Sequence, residues 1–177
     1  WTEGNVLLLA RLNVLMGASL GIYTGVLLGT MAARPLWNSA LLGPLFLVSG
    51  ISTGAAFMLL FGLSDEERKS LGRADMGFIA VELALLALWM IGLATGGAAA
   101  QGALAVIFGG PYTAAFWTLV VALGLLAPLV GEWVEFKHGA VPGKGTAILV
   151  LLGGFALRWI LVFAGQATGW VTEVAMR

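Results

Sequence analysis

The run Leu12-Asn-Val-Leu-Met-Gly-Ala-Ser-Leu-Gly-Ile-Tyr-Thr-Gly-Val-Leu-Leu-Gly-Thr-Met-Ala-Ala33 carries no charged side chain. It exceeds the ~18 residues at which an apolar segment is long enough to cross a bilayer as a helix. Arg34-Pro35 closes it, because the residue before a proline is pushed out of helical geometry. Two longer charge-free stretches follow, between Arg34 and Asp65 and between Glu82 and Glu132. Of the 177 residues 60% are hydrophobic and only 10% charged, whereas about a quarter of an average soluble domain is charged. So few charges cannot cover a soluble surface. The pattern specifies an all-α, polytopic transmembrane helical bundle.

Working outward from that first segment, five spans fit at roughly 20 apolar residues each. They are 12–33, 37–63, 76–95, 112–131 and 145–168. The mixed-sign run Ser64-Asp-Glu-Glu-Arg-Lys-Ser-Leu-Gly-Arg-Ala-Asp75 reads as a solvated loop, and the Gly/Ala-rich stretch 96–111 reads as a connection. Arg68, Lys69, Arg73, Lys137 and Lys144 then share one side, while Arg34 and Arg177 lie on the other. Positive charge collects on the cytoplasmic side of membrane proteins, which places the C-terminus outside the cytoplasm. Trp1, Trp37, Trp133 and Trp170 fall near span ends, where indole rings anchor at headgroup level. The chain opens on Trp1 rather than Met and reads as a fragment or processed product.

Composition also removes whole classes of function. With no cysteine, the chain holds neither a disulfide nor a thiolate-ligated iron–sulfur cluster. Its single histidine, His138, excludes a bis-histidine haem, and nothing points to any other metal site. Zero net charge offers nucleic acid no basic field. Gly143-Lys144-Gly-Thr146 superficially looks like a phosphate loop but lacks the full spacing and the preceding strand.

In the first span Gly17, Gly21, Gly25 and Gly29 repeat every four residues, forming a flat ridge against which another helix can pack. Ser19, Tyr23 and Thr30 lie opposite that ridge, with Tyr23 about 16 Å along the helix. Tyr23 either bonds a neighbouring helix or presents its hydroxyl to a ligand. Charges at membrane depth are costly and are functional candidates by default. Glu82 lies about 10 Å beyond Asp75 and Arg158 about 21 Å beyond Lys144, an offset of about 10 Å that hinders a direct pair. Glu82, Arg158, Glu132 and Gln166 make either a staggered proton path or a set of structural pairs. Glu132 and Arg11 sit near span ends, from which long side chains reach the interface.

Two segments carry more than composition. One is Tyr23-Thr-Gly-Val-Leu-Leu-Gly, followed by Arg34-Pro-Leu-Trp-Asn38 and Leu45-Phe-Leu-Val-Ser-Gly-Ile-Ser-Thr-Gly54. The other is Leu152-Gly-Gly-Phe-Ala-Leu-Arg158-Trp with Val162-Phe-Ala-Gly-Gln166. In order and separation they resemble the NrfD family, the membrane subunits of polysulfide reductase and related respiratory complexes. The resemblance implies part of an eight-helix fold of two four-helix bundles. Residues 1–36 would be the last helix of the first bundle and 37–177 the second bundle.

It further implies a subunit that is not catalytic alone. Such a subunit exchanges electrons between the quinone pool (menaquinone or ubiquinone) and an extracytoplasmic iron–sulfur subunit. Through that subunit it would reach a molybdopterin or cytochrome subunit in a bacterial or archaeal cytoplasmic (inner) membrane. Tyr23, with Ser19 and Arg34 nearby, corresponds to the quinone contact. The family's polar partners of this tyrosine on the first span have no counterpart here, which leaves two alternatives: three helices lie outside this sequence, or the site is lost. The residues alone leave two alternatives, a transporter or channel-like bundle and a pure membrane anchor. Five spans without an inverted repeat weigh against the transporter.

Overall fold

The computed structural model describes residues 3–168. Among them every regular element is helical: α1 (Glu3–Gly29), α2 (Leu42–Leu59), α3 (Asp65–Ala94), α4 (Ala98–Ala105), α5 (Thr113–Lys137) and α6 (Lys144–Ala167). Five of these are long and apolar enough to cross a membrane. Helices α2, α3, α5 and α6 close into a ring of neighbours, while α1 packs chiefly on α2. The turns after α2 and α5 define one end of the bundle, here termed the charged end. The turns after α1 and α3, together with α4, define the other, the α4 end.

The buried positions of α3 explain the bundle. Gly72, Asp75, Ile79, Glu82, Leu86, Trp89 and Leu93 recur at alternating spacings of three and four, which keeps one stripe of the helix against its neighbours. That stripe runs through the expected loop 64–75, which is in fact the first three turns of α3. Ser64 starts the helix with a capping box. Its hydroxyl accepts from the Glu67 N–H, and the Glu67 carboxylate accepts from the Ser64 N–H. Asp65, Glu66 and Glu67 then sit where the helix dipole favours negative charge. A mixed-sign run is therefore a helix start here, not a loop.

The other boundaries shift less. The first span begins at Glu3 rather than 12 and ends at Gly29, and the second is α2 alone, because residues 30–41 form consecutive turns. The connection 96–111 contains α4, which its Gly/Ala composition hid by offering no apolar periodicity. Within α5, residues Phe116–Leu126 wind as a π-helix. The Ala127 N–H donates to the Ala122 carbonyl immediately before Pro128, which has no N–H to continue an α-helical ladder.

Small residues set the closest approaches. A Cβ on Gly124 would lie 2.5 Å from the Gly153 Cα, so α5 and α6 cross backbone to backbone. On α1 the ridge meets α2 through Gly21 and Gly25, with Gly25 against Leu42 and Gly43, while Gly29 lies against Ser39 of the α1–α2 turn. Gly17 departs from the expected ridge, since nothing lies within 4 Å of a Cβ there.

Candidate functional site

Three polar arrangements stand out against this apolar frame. The first is the outer face of α1. Tyr23 is 60% exposed, and its hydroxyl makes no hydrogen bond among the described residues. Exposed Met16, Leu20, Val26 and Leu27 surround it along the helix. Ser19 and Thr30 donate to carbonyls of their own helix, Leu15 and Leu27 at 2.8 Å each, so neither hydroxyl's proton reaches outward. Tyr23 is the one free donor of this trio. The bland expectation, a bond to a neighbouring helix, is not met among the described residues.

The second arrangement lies where the α1–α2 turn meets the end of α6. The Arg34 guanidinium donates to the Gln166 carbonyl, and the Trp37 Nε1–H donates to the Leu161 carbonyl at 2.7 Å. Trp37 presses on Gly165, where any Cβ would collide with the indole. Trp37 is only 5% exposed, which corrects its reading as a headgroup anchor: proximity to a helix end is not exposure when the turn folds back. Trp133 does lie exposed, beneath the Lys137 ammonium. Trp1 and Trp170 lie outside the described residues. Gln166 is exposed at the α4 end and joins this cluster rather than the deeper ionisable groups.

The third arrangement is a buried polar series inside the bundle. At the charged end Glu132 of α5 and Asp75 of α3 lie side by side, 2% and 0% exposed. Both Glu132 oxygens and Asp75 Oδ2 lack a hydrogen-bond partner. Ser52 of α2 donates to Asp75 Oδ1 at 2.6 Å. Seven residues further along α3, Glu82 sits beside Ser49 and within electrostatic reach of Arg158. Arg158 donates to Ser49 Oγ at 3.3 Å and to the Gly154 carbonyl at 2.8 Å, and its guanidinium stacks over Phe46.

Two expectations change here. Glu132 does not reach for the interface but turns into the bundle. Glu82 and Arg158 lie at matching depth, because α3 starts at Asp65 and not beyond Asp75, placing Glu82 about 26 Å from its helix start. The pair is bridged through Ser49 rather than in direct contact. The sequence alone does not single out Asp75, Ser49 or Ser52. The three-four stripe of α3, continued back through the charged run, is the signal that places Asp75 inside.

The polar series ends sideways at a cleft. Arg158 forms part of the wall of a cleft of about 730 Å³ between α1, α2 and α6, where Asn13, Gly17 and Thr24 face Phe46 and Gly50. The cleft lies on the ridge side of α1, opposite Tyr23. No group of three or more metal-ligating side chains occurs among the described residues.

Five long apolar helices, a closed bundle and ionisable groups turned inward define a multi-pass helical membrane protein. Residues 3–169 match the family described as polysulphide reductase, NrfD, and the chain belongs to that family. It is 35% identical over 163 residues to the C subunit of polysulfide reductase from Wolinella succinogenes, covering 85% of this sequence and 51% of that one. It is 34% identical over 169 residues to protein NrfD of Escherichia coli, covering 90% and 53%. A Haemophilus influenzae homologue of NrfD is 30% identical over 164 residues. The chain spans about half the length of these curated relatives. No solved structure matches it.

Proposed function

We propose that this chain is the integral-membrane, quinone-interacting subunit of a respiratory oxidoreductase complex. It exchanges electrons between the quinone pool and an iron–sulfur partner, through which a molybdopterin or cytochrome subunit is reached. Family membership supports the respiratory setting. The observation that carries the quinone reading is the uncommitted Tyr23 hydroxyl on an exposed apolar face of α1.

The residues present fit one wall of a quinone site. Tyr23 would donate to a ring carbonyl, while Leu20, Val26 and Leu27 would lie along the ring and tail. A bound quinol supplies two electrons and two protons on oxidation. Arg34, tied to the Gln166 carbonyl, holds the turn above α1 in place. With no cysteine in the chain, those electrons must pass to a cofactor held by a partner. Co-purification tests the assembly: an iron–sulfur-bearing protein should accompany the chain from bacterial inner membranes. A chain that purifies alone and moves a solute across vesicles would instead support the transporter reading.

The buried polar series supports a second element, a proton path through the bundle from Glu132 and Asp75 to Glu82 and Arg158. The carboxyl groups of Glu132, Asp75 and Glu82, which can each take up and release a proton, lie in sequence there, with the hydroxyls of Ser52 and Ser49 beside them and the Arg158 cation at the end of the series. Glu82→Gln in the assembled complex in proteoliposomes should abolish proton movement while leaving most quinol oxidation. Unchanged proton movement would remove Glu82 from the path.

A further inference from the structure

Arg158 spends only part of its hydrogen-bonding capacity inside the bundle. Its Nη1 donates to the Ser49 hydroxyl and to the Gly154 carbonyl. Nε and Nη2 share one edge of the guanidinium. Neither bonds a described residue, and neither is sealed inside the protein. Nη2 lies beside Gly50, where a Cβ would stand 3.6 Å from it. Arg158 and Gly50 both line the cleft of about 730 Å³ between α1, α2 and α6. The unspent edge of the cation therefore borders that cleft.

Two parallel N–H groups on one guanidinium edge match the two oxygens of a carboxylate or a phosphate. Leaving such an edge empty among apolar groups is costly. Glu82 does not fill it. That carboxylate acts on Arg158 across Ser49, which is bonded by Nη1 on the other edge.

The cleft determines what is attached to the acid. Val14, Leu20, Leu47, Ile51 and Val162 make its walls apolar, and Arg158 is the one charged side chain among its lining residues. Gly17 leaves one wall open, since nothing lies within 4 Å of a Cβ there. The volume falls within the ~300–1,000 Å³ of small-molecule sites. Depth then separates the two acids. Arg158 lies nine residues before the last residue of α6, about 13 Å along the helix. The phosphate of a phospholipid stays at headgroup level, outside the hydrocarbon. A carboxylic acid can sink further, because it can shed its charge by holding a proton.

We infer that this cleft binds a long-chain carboxylic acid, with its carboxyl group on the Nε–Nη2 edge of Arg158 and its chain along the Gly17 side of α1. The site does not rest on the quinone reading, since Tyr23 lies on the opposite face of α1.

The test uses palmitate carrying a photoreactive diazirine on its chain, added to the full chain in lipid nanodiscs. After illumination the labelled peptides should contain residues 13–24 and 46–51, the two walls of the cleft. Unlabelled palmitate should compete. Methyl palmitate, which keeps the chain but not the acid, should compete at least about tenfold more weakly, the worth of one hydrogen bond to a charged group. Arg158→Lys keeps a cation beside Glu82 but loses the paired N–H groups, and should weaken palmitate by a similar factor. Gly17→Leu fills the cleft from its open side and should cut labelling at least about tenfold. An elution volume equal to the parent's shows that this variant is folded.

The proposal is overturned if methyl palmitate competes as well as palmitate, or if Gly17→Leu is labelled like the parent. It is equally overturned if the label falls outside the two walls, or if a short-chain quinone displaces it better than palmitate does. In the assembled complex the labelling should persist. Its loss there would give the cleft to a neighbouring helix and overturn the lipid site.

Discussion

Helix α1 and the ring of α2, α3, α5 and α6 are all apolar enough to cross a membrane but are put to different uses. The ring buries Trp89 and Phe116 together with the ionisable Asp75, Glu82 and Glu132, while Phe57, Phe155 and Trp159 face outward. Helix α1 makes one shallow contact through glycine and leaves Val14, Met16, Leu20 and Tyr23 exposed. A membrane provides no hydrophobic drive to bury α1, because lipid tails are as apolar as leucine. Packing and polar satisfaction therefore decide what goes inside. The ring is held by close backbones and buried hydrogen bonds, and α1 leaves one face uncovered by the described residues.

Substitutions can break this contrast, and the largest effect should come from the ring's ionisable groups. Arg158→Met leaves Glu82 buried without its nearby cation and should cost about 3–5 kcal/mol. Arg11→Met, at the charged end of α1, should cost nearly nothing. Denaturant unfolding in mixed micelles compares the two, and equal losses would contradict the distinction. Gly153→Leu drives a side chain into the Gly124 backbone and should destabilise by about 1–3 kcal/mol or prevent assembly of α5 on α6. Gly17→Leu, facing open space, should be tolerated, as judged by yield and elution volume.

Smaller effects sharpen the picture. Trp37→Phe removes the hydrogen bond to Leu161 while keeping most of the packing and should cost about 1–2 kcal/mol. Ser52→Ala withdraws the donor to Asp75 and should cost about 1–3 kcal/mol. The same change placed on α1, Ser19→Ala, should be within ~0.5 kcal/mol, because that hydroxyl bonds only its own helix at an exposed position.

Sequence legibility follows the same division. The five spans are visible because charge-free length is a coarse, reliable signal, and the glycine ridge correctly points Gly21, Gly25 and Gly29 toward a neighbour. Glu82 and Arg158 are visible as candidates because a charge in mid-span is expensive wherever it faces. Asp75 and Glu132 are harder to read. Each lies close to other charges in sequence, and only the three-four stripe of α3, or the packing of α5 on it, reveals that they turn inward. Trp37 misleads in another way: an indole near a helix end reads as an interfacial anchor, and its sequence position does not reveal that its N–H bonds the Leu161 carbonyl inside the fold. Helix α4 is hidden because its alanines and glycines carry no periodic pattern.

Most weight falls on Tyr23, an exposed residue whose removal should disturb function and nothing else. The direct measurement is quinol oxidation by the assembled complex carrying Tyr23→Phe, with unfolding measured on the same preparation. Turnover or quinol affinity should fall at least about tenfold, the worth of one hydrogen bond to the reacting ring, with stability unchanged. Unchanged turnover and unchanged quinol affinity would contradict the quinone role, and would leave α1 as a helix that packs but does not take part in the chemistry.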